Sequence, residues 1–256
     1  MLLHVHEWGD PDAPPLVCLH GISAHAGYFR QLAEERLASR FHVLAPDLRG
    51  HGGSAHDPPW NIASHLADVL ETIREADVER APCVGMSFGG RLVLELASRE
   101  PQFIERAVLL DPAIQILPHV GHDFAESTWR NNGFESVEAA VASRLATGPA
   151  TPRAYVEQDR SEQLVRAPDG RYYFGYCVSA VVTGYGELTT EPPPPKTLRV
   201  PTLLVYAPDF GLVRAEQVET YQAALGDLLI VVPVPGGHVV TWDAYDQTAD
   251  AIDAFL

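Results

Sequence analysis

A serine framed by glycines carries the clearest chemical signal in the chain. Gly85-Met86-Ser87-Phe88-Gly89-Gly90 follows the apolar run Pro82-Cys83-Val84 and precedes a helical stretch from Arg91 to Arg99. A serine held on a tight strand-to-helix turn presents its hydroxyl outward, and glycines two residues before and after allow the close packing such a turn demands. The helix N-terminus behind it brings a positive dipole end to wherever an oxyanion forms. This context predicts a nucleophilic Ser87 rather than a turn serine. The chain has 11 histidines, so most are structural or on the surface. His238 stands apart because it follows two glycines after the last apolar run and precedes the last helical pattern. A loop at that end of a parallel sheet can reach Ser87, which makes His238 the candidate general base. His25, His51, His56, His119 and His122 are expected at the surface or at a pocket rim.

The elements that must position these residues read as alternating strands and helices. Apolar runs occur at Leu2–His6, Leu16–Leu19, Phe41–Ala45, Cys83–Met86, Ala107–Leu110, Thr202–Tyr206 and Leu228–Val234. Helical patterns lie between them. One runs from an Asn61 cap to about Ala76, with Ile62, Leu66, Val69, Leu70 and Ile73 on one face. Another spans Ala215 to Leu225 and ends at Gly226, and a third spans Trp242 to Leu256. Such alternation implies an α/β fold with a mainly parallel sheet and helices on both faces. From Pro112 to about Arg199 the alternation stops. That stretch is polar and aromatic, ends in Pro192-Pro193-Pro194-Pro195, and predicts an inserted helical cap over residues 112–199 with a stiff return. Residues 1–111 and 200–256 then form the core domain.

Together these segments resemble the α/β-hydrolase superfamily along nearly the whole chain. His20-Gly21-Ile22 is similar to its H-G oxyanion turn, and Asp47-Leu48-Arg49-Gly50-His51-Gly52-Gly53-Ser54 to its D-x-R-G-x-G-x-S loop. Gly236-Gly237-His238 resembles the segment that delivers the histidine. The resemblance implies a Ser-His-Asp triad and an oxyanion hole made by the backbone N–H groups of Ile22 and Phe88. Family members usually place the acid after the strand that follows the cap. In gapless register Phe210 falls there, with Asp209 one position early. Others, haloalkane dehalogenases among them, place it after the strand that here ends in Leu110, which points to Asp111. We prefer Asp111 and hold Asp209 as the alternative, while a helix-capping role for Asp111 stays open. Dehalogenases and epoxide hydrolases of this fold carry aspartate at the elbow and dienelactone-type enzymes cysteine, and Ser87 is neither.

The activity so implied is hydrolysis of a carboxylic ester or lactone of medium size through an acyl-enzyme. A C–C bond hydrolase of ring-fission products is the enzyme alternative; it would want a basic carboxylate-binding residue, for which Arg91 is a candidate. A non-catalytic small-molecule binder on the same scaffold is the alternative from another class. His20, Gly21, Trp129, Tyr155 and Tyr176 are the candidate pocket residues, alongside Phe88 and Trp242. His20 also suits a turn-stabilising role. Most other cap aromatics are expected in the cap's own core.

The 256 residues carry 18 basic and 34 acidic side chains, a formal charge of −16. A basic footprint for nucleic acid or an anionic membrane is absent. With an aromatic cap, this charge favours neutral apolar substrates unless a local arginine intervenes. Cys18, Cys83 and Cys177 are odd in number, and the first two sit in apolar runs, as expected of reduced thiols. No cofactor or metal is implied. The N-terminal residues lack a signal-peptide pattern and no apolar run suits a membrane span. A cytoplasmic monomer or homodimer is the expectation.

Overall fold

The computed structural model describes residues 1–148 and 151–256. Seven strands form one sheet: β1 (Val5–Trp8), β2 (Pro15–Leu19), β3 (His42–Pro46), β4 (Ala81–Met86), β5 (Ile104–Leu110) and, beyond an insertion, two more described below. A helical stretch Ala26–Leu37, which includes the single turn α1 (Arg30–Leu32), links β2 to β3. Helices α2 (Ile62–Glu75) and α3 (Phe88–Arg99) flank β4. The insertion between β5 and the next sheet strand holds α4 (Pro118–Trp129), α5 (Val137–Thr147), α6 (Arg153–Gln163), a hairpin of β6 (Leu164–Arg166) and β7 (Tyr172–Phe174), and α7 (Val178–Leu188). The chain then returns through β8 (Thr202–Tyr206), α8 (Ala215–Leu225), β9 (Leu229–Pro233), α9 (Val240–Asp243) and α10 (Tyr245–Phe255).

The order across the sheet is β1-β3-β2-β4-β5-β8-β9, with β1 antiparallel and the others parallel. The central strands are apolar on both faces because helices cover both. Alternate residues divide between two cores. Val17, Leu19, Cys83, Leu109 and Leu204 pack with Leu66, Val69, Leu92 and Val218 from α2, α3 and α8. Leu16, Cys18, Val84, Val108 and Leu203 pack with Phe29, Leu32, Leu37, Ile252 and Phe255 on the other side. This period of two along each strand assigns every side chain to one helical layer.

After β2 the chain moves to β3 on one side, then to β4 on the other. The crevice beyond the carboxyl ends of β2 and β4 is therefore a topological switch point. The His20-Gly21-Ile22 turn leaves one of these strands and Ser87 the other. The loop after β3 is fixed by Asp47, whose carboxylate accepts from the Ala26 amide at 2.7 Å, the Gly53 amide at 2.9 Å and the His4 ring at 3.0 Å. Burial alone would raise the pKa of Asp47. His6, His20 and the two amides instead hold it well below the usual carboxylate range.

Several boundaries depart from the sequence-based expectation. The insertion includes the short β6–β7 hairpin, whose half-exposed residues carry no burial pattern. The C-terminal helix is two helices, interrupted at Ala244, where the backbone leaves the helical region. Asn61 caps α2 as expected, accepting from the Ser64 amide at 2.9 Å. Cys18 and Cys83 are buried and unpaired, and burial pushes the Cys83 thiol up to about 12.

Candidate active site

Ser87 lies between β4 and α3 with φ 55° and ψ −113°, a left-handed conformation that non-glycine residues seldom adopt. Its neighbours hold it there. The Ser87 amide donates to the Leu110 carbonyl at 3.1 Å, and the Ser87 carbonyl accepts from the Ala113 and Arg91 amides at 3.0 and 3.1 Å. A Cβ on Gly89 would collide with the Leu19 carbonyl, and one on Gly85 would lie 2.6 Å from the Gly90 nitrogen. Gly21 is equally constrained, since its Cβ would fall 2.9 Å from Met86 Sδ and 3.3 Å from Ser87 Cβ. Glycine at these positions lets β2, β4 and α3 converge on the serine.

His238 follows β9 and donates Nδ1–H to Asp111 Oδ2 at 2.6 Å. Asp111 is wholly buried at the end of β5, also at positive φ, 38°. Its Oδ1 accepts from the Ala207 amide at 3.2 Å, and its own amide donates to the Val205 carbonyl at 2.7 Å. Nε2 of His238 is left for the cavity that His238 lines together with Ser87. Asp209 is exposed and does not join this network. The neighbouring Phe210 stacks on the imidazole, with ring centres 5.2 Å apart and planes 13° apart.

The cavity has a volume of about 300 Å³, within the range of small-molecule sites. Gly21, Ile22 and Met86 form its floor beside Ser87. Ile116 and Phe124 come from the α4 segment and Tyr185 and Leu188 from α7. Phe124 and Tyr185 stack at 5.4 Å. Arg144 on α5 and Asp159, Arg160 and Gln163 on α6 supply a polar wall. Trp242 also lines it, packed against Tyr28.

Of the five candidate pocket residues, only Gly21 lines this cavity. His20 is fully buried beneath the turn. Its Nδ1–H donates to the Gly21 carbonyl at 2.8 Å, while Nε2 accepts the Leu48 amide at 2.9 Å. Burial, then His51, lowers its pKa to about 3, so it stays neutral and braces the turn. Trp129 points to solvent with 69% exposure. Tyr155 bonds Gln31 and packs on Tyr245 outside the main cavity. Tyr176 stacks on Phe174 within the insertion. Aromatic type alone does not reveal which way a ring faces. Phe88 is fully buried and packs edge-on against His65, so only its backbone is available to the site. His25 and His51, expected at the surface or a pocket rim, are both buried, and His51 Nε2–H donates to the Ile22 carbonyl at 2.6 Å.

Arg91 is also away from the cavity. Its guanidinium donates to Glu95 at 3.0 Å, to the Ile114 carbonyl at 2.8 Å and to the Glu191 carbonyl at 3.0 Å. It ties both ends of the insertion to α3. Phe124, Tyr185, Arg144 and Arg160 were not singled out by sequence. Arg160 sits in the charge-rich α6, which reads as a solvated face, and Arg144 in the alanine-rich α5, where Glu138 is the other charge.

Residues 14–245 match the family described as alpha/beta hydrolase fold, and the chain belongs to that family. The chain is 25% identical over 190 residues to lipase LipV of Mycobacterium tuberculosis, covering 74% of this chain and 72% of the lipase. The crystal structure of E-2-(acetamidomethylene)succinate hydrolase superposes with a TM-score of 0.88 at 24% identity, over 99% of this chain and 94% of that one. The enol-lactonase from Burkholderia xenovorans LB400 superposes with a TM-score of 0.80 at 19% identity, over 99% and 95%.

Proposed function

We propose that the protein is a serine hydrolase that cleaves a carboxylic ester or lactone through an acyl-enzyme. Ser87 attacks the carbonyl while His238 Nε2 removes its proton. The backbone N–H groups of Ile22 and Phe88 receive the oxyanion; those of a first helical turn have no intrahelical acceptor. His238 then protonates the leaving group, and water releases the acid by the reverse sequence. Asp111 holds the imidazole tautomer and orientation and stabilises the imidazolium. The observation that carries this reading is the hydrogen bond from His238 to the buried Asp111, beside a cavity shared with a serine at positive φ. The lipase and enol-lactonase of like fold are in keeping with it.

Hydrolysis of ring-fission products by C–C cleavage is the second reading. It is favoured by the presence of Arg144 and Arg160, instead of Arg91, in the cavity. A panel of aryl esters, lactones and a dienoic keto acid, run on the protein and on Ser87→Ala, separates these reactions. Ester or lactone turnover that disappears in Ser87→Ala is expected. Turnover of the keto acid alone would favour the second reading. A non-catalytic binder would turn over nothing and would keep ligand affinity in Ser87→Ala.

A further inference from the structure

The cavity lining holds two arginines and one carboxylate, Arg144, Arg160 and Asp159, in a strongly acidic chain. The chain carries −16, yet Arg144 and Arg160 both line the cavity that Ser87 lines. Arg144 and Arg160 side chains are only 14% and 12% exposed. Each has one carboxylate neighbour, but those carboxylates have other duties. Asp243 accepts from Arg144 at 3.3 Å and also takes the Gly237 amide at 3.1 Å and the Thr151 hydroxyl. Asp159 pairs with Arg160 and is also bonded by His25 at 3.1 Å.

Most of the guanidinium donors meet no acceptor among the described residues. Among the described residues, only Nη2 of Arg144 and Nη1 of Arg160 have protein acceptors. Arg160 Nε is buried and has no partner among the described residues. The Arg160 group also lies over the Phe174 ring, 4.9 Å from its centre. A buried N–H without an acceptor is costly, so a ligand that supplies one gains what the folded chain forgoes. A planar carboxylate matches the guanidinium fork and supplies acceptors for the donors that meet none among the described residues.

We propose that the substrate carries a free carboxylate, bound by Arg160 and Arg144, in addition to the carbonyl that Ser87 attacks. This rests on the serine-hydrolase reading for the chemistry, not for the anion site. The substrate is then amphipathic. Its apolar part meets Phe124, Tyr185 and Leu188, its carboxylate meets the α5–α6 wall, and its scissile carbonyl lies at Ser87. The α4–α7 pair and the α5–α6 pair thus recognise different parts of one molecule. This replaces the expectation of a neutral substrate drawn from net charge.

The test uses a matched pair of substrates, mono-4-nitrophenyl glutarate and its methyl-capped diester, with nitrophenolate release as readout. The free acid should exceed the capped ester in kcat/KM by roughly ten- to a hundredfold. Arg160→Gln and Arg144→Gln should each reduce that ratio at least tenfold, chiefly through KM, and Arg160→Lys should restore part of it. A wild-type preference for the capped ester, or a ratio unchanged in both folded glutamine variants, would overturn the proposal. If those variants do not fold, protection of the wild-type serine from a fluorophosphonate by free glutarate, but not by dimethyl glutarate, decides the question. Equal protection or none would count against the site. If the wild type turns over neither ester, the hydrolase reading is what fails. Calorimetric titration of glutarate into wild type and Arg160→Gln then still tests the anion site: binding lost in the variant supports it, and no binding to wild type refutes it.

Discussion

Asp111 Oδ2 accepts the Nδ1 proton of His238 at 2.6 Å, although the two residues leave strands on opposite sides of β8. The carboxylate comes from β5, next to the nucleophile strand, and the position after β8 holds Phe210 instead. Asp111→Asn should therefore keep the fold but lower kcat by about 10⁴, as expected when the imidazole is held in the wrong tautomer. Asp209→Asn should stay within a factor of two to three of the parent, by a rough allowance for a surface change. Steady-state kinetics on an aryl ester checks both. The reverse pattern would assign the acid to Asp209.

Phe210 lies flat against the His238 ring and is about half exposed. Removing it withdraws the ring that stacks on the imidazole. Phe210→Ala should lower kcat by about fivefold, the scale of an aromatic stacking contribution. Phe210→Trp should retain activity. An unchanged kcat in Phe210→Ala would show that Phe210 does not position the ring.

Arg91 is among the largest fully buried side chains, and it neutralises Glu95 while holding the Ile114 and Glu191 carbonyls. Arg91→Met takes one of two arginine partners from Glu95, which keeps Arg99, and leaves the Ile114 and Glu191 carbonyls without their donor. A loss of about 3 kcal/mol or more in denaturant unfolding is expected. A loss below about 1 kcal/mol would contradict the clamp between α3 and the insertion.

Acid should weaken the fold in a defined window. His20 and His65 are each lowered from 6.5 to about 3, mainly by burial. Between those values the unfolded chain binds protons that the folded chain does not. Stability is thus highest above pH 6.5 and falls as pH drops toward 3, by up to about 1.4 kcal/mol per pH unit for each histidine. Asp47, held low in the fold, adds loss in the same direction below its ordinary range near pH 4. His65→Leu should flatten the fall in Tm between pH 6.5 and 4.5. An unaltered slope would show that His65 does not titrate on unfolding.

Much of the framework was legible because it depends on local rules. Buried parallel strands must be apolar, a nucleophile turn must have its glycines, and α2 needs a cap such as Asn61. Ser87, His238 and the preference for Asp111 followed from such constraints and from the family resemblance. The cavity wall did not. Trp129, Tyr155 and Tyr176 were chosen for ring type, but their directions are set by how α4, α6 and β7 pack. Arg144 and Arg160 carry no signal in the sequence, one being an isolated cation in the apolar α5 and the other one of many charges in α6. Only tertiary structure shows which polar side faces inward. The hairpin and the break at Ala244 escaped for a related reason: short, half-exposed segments have no periodicity to read.

The central claim is that Ser87 is an activated nucleophile. Incubation with a fluorophosphonate, followed by peptide mass spectrometry, tests it most directly. A single phosphonyl adduct on Ser87 is expected, absent in Ser87→Ala and formed far more slowly in His238→Ala. No adduct, or an adduct that persists in Ser87→Ala, would contradict the account.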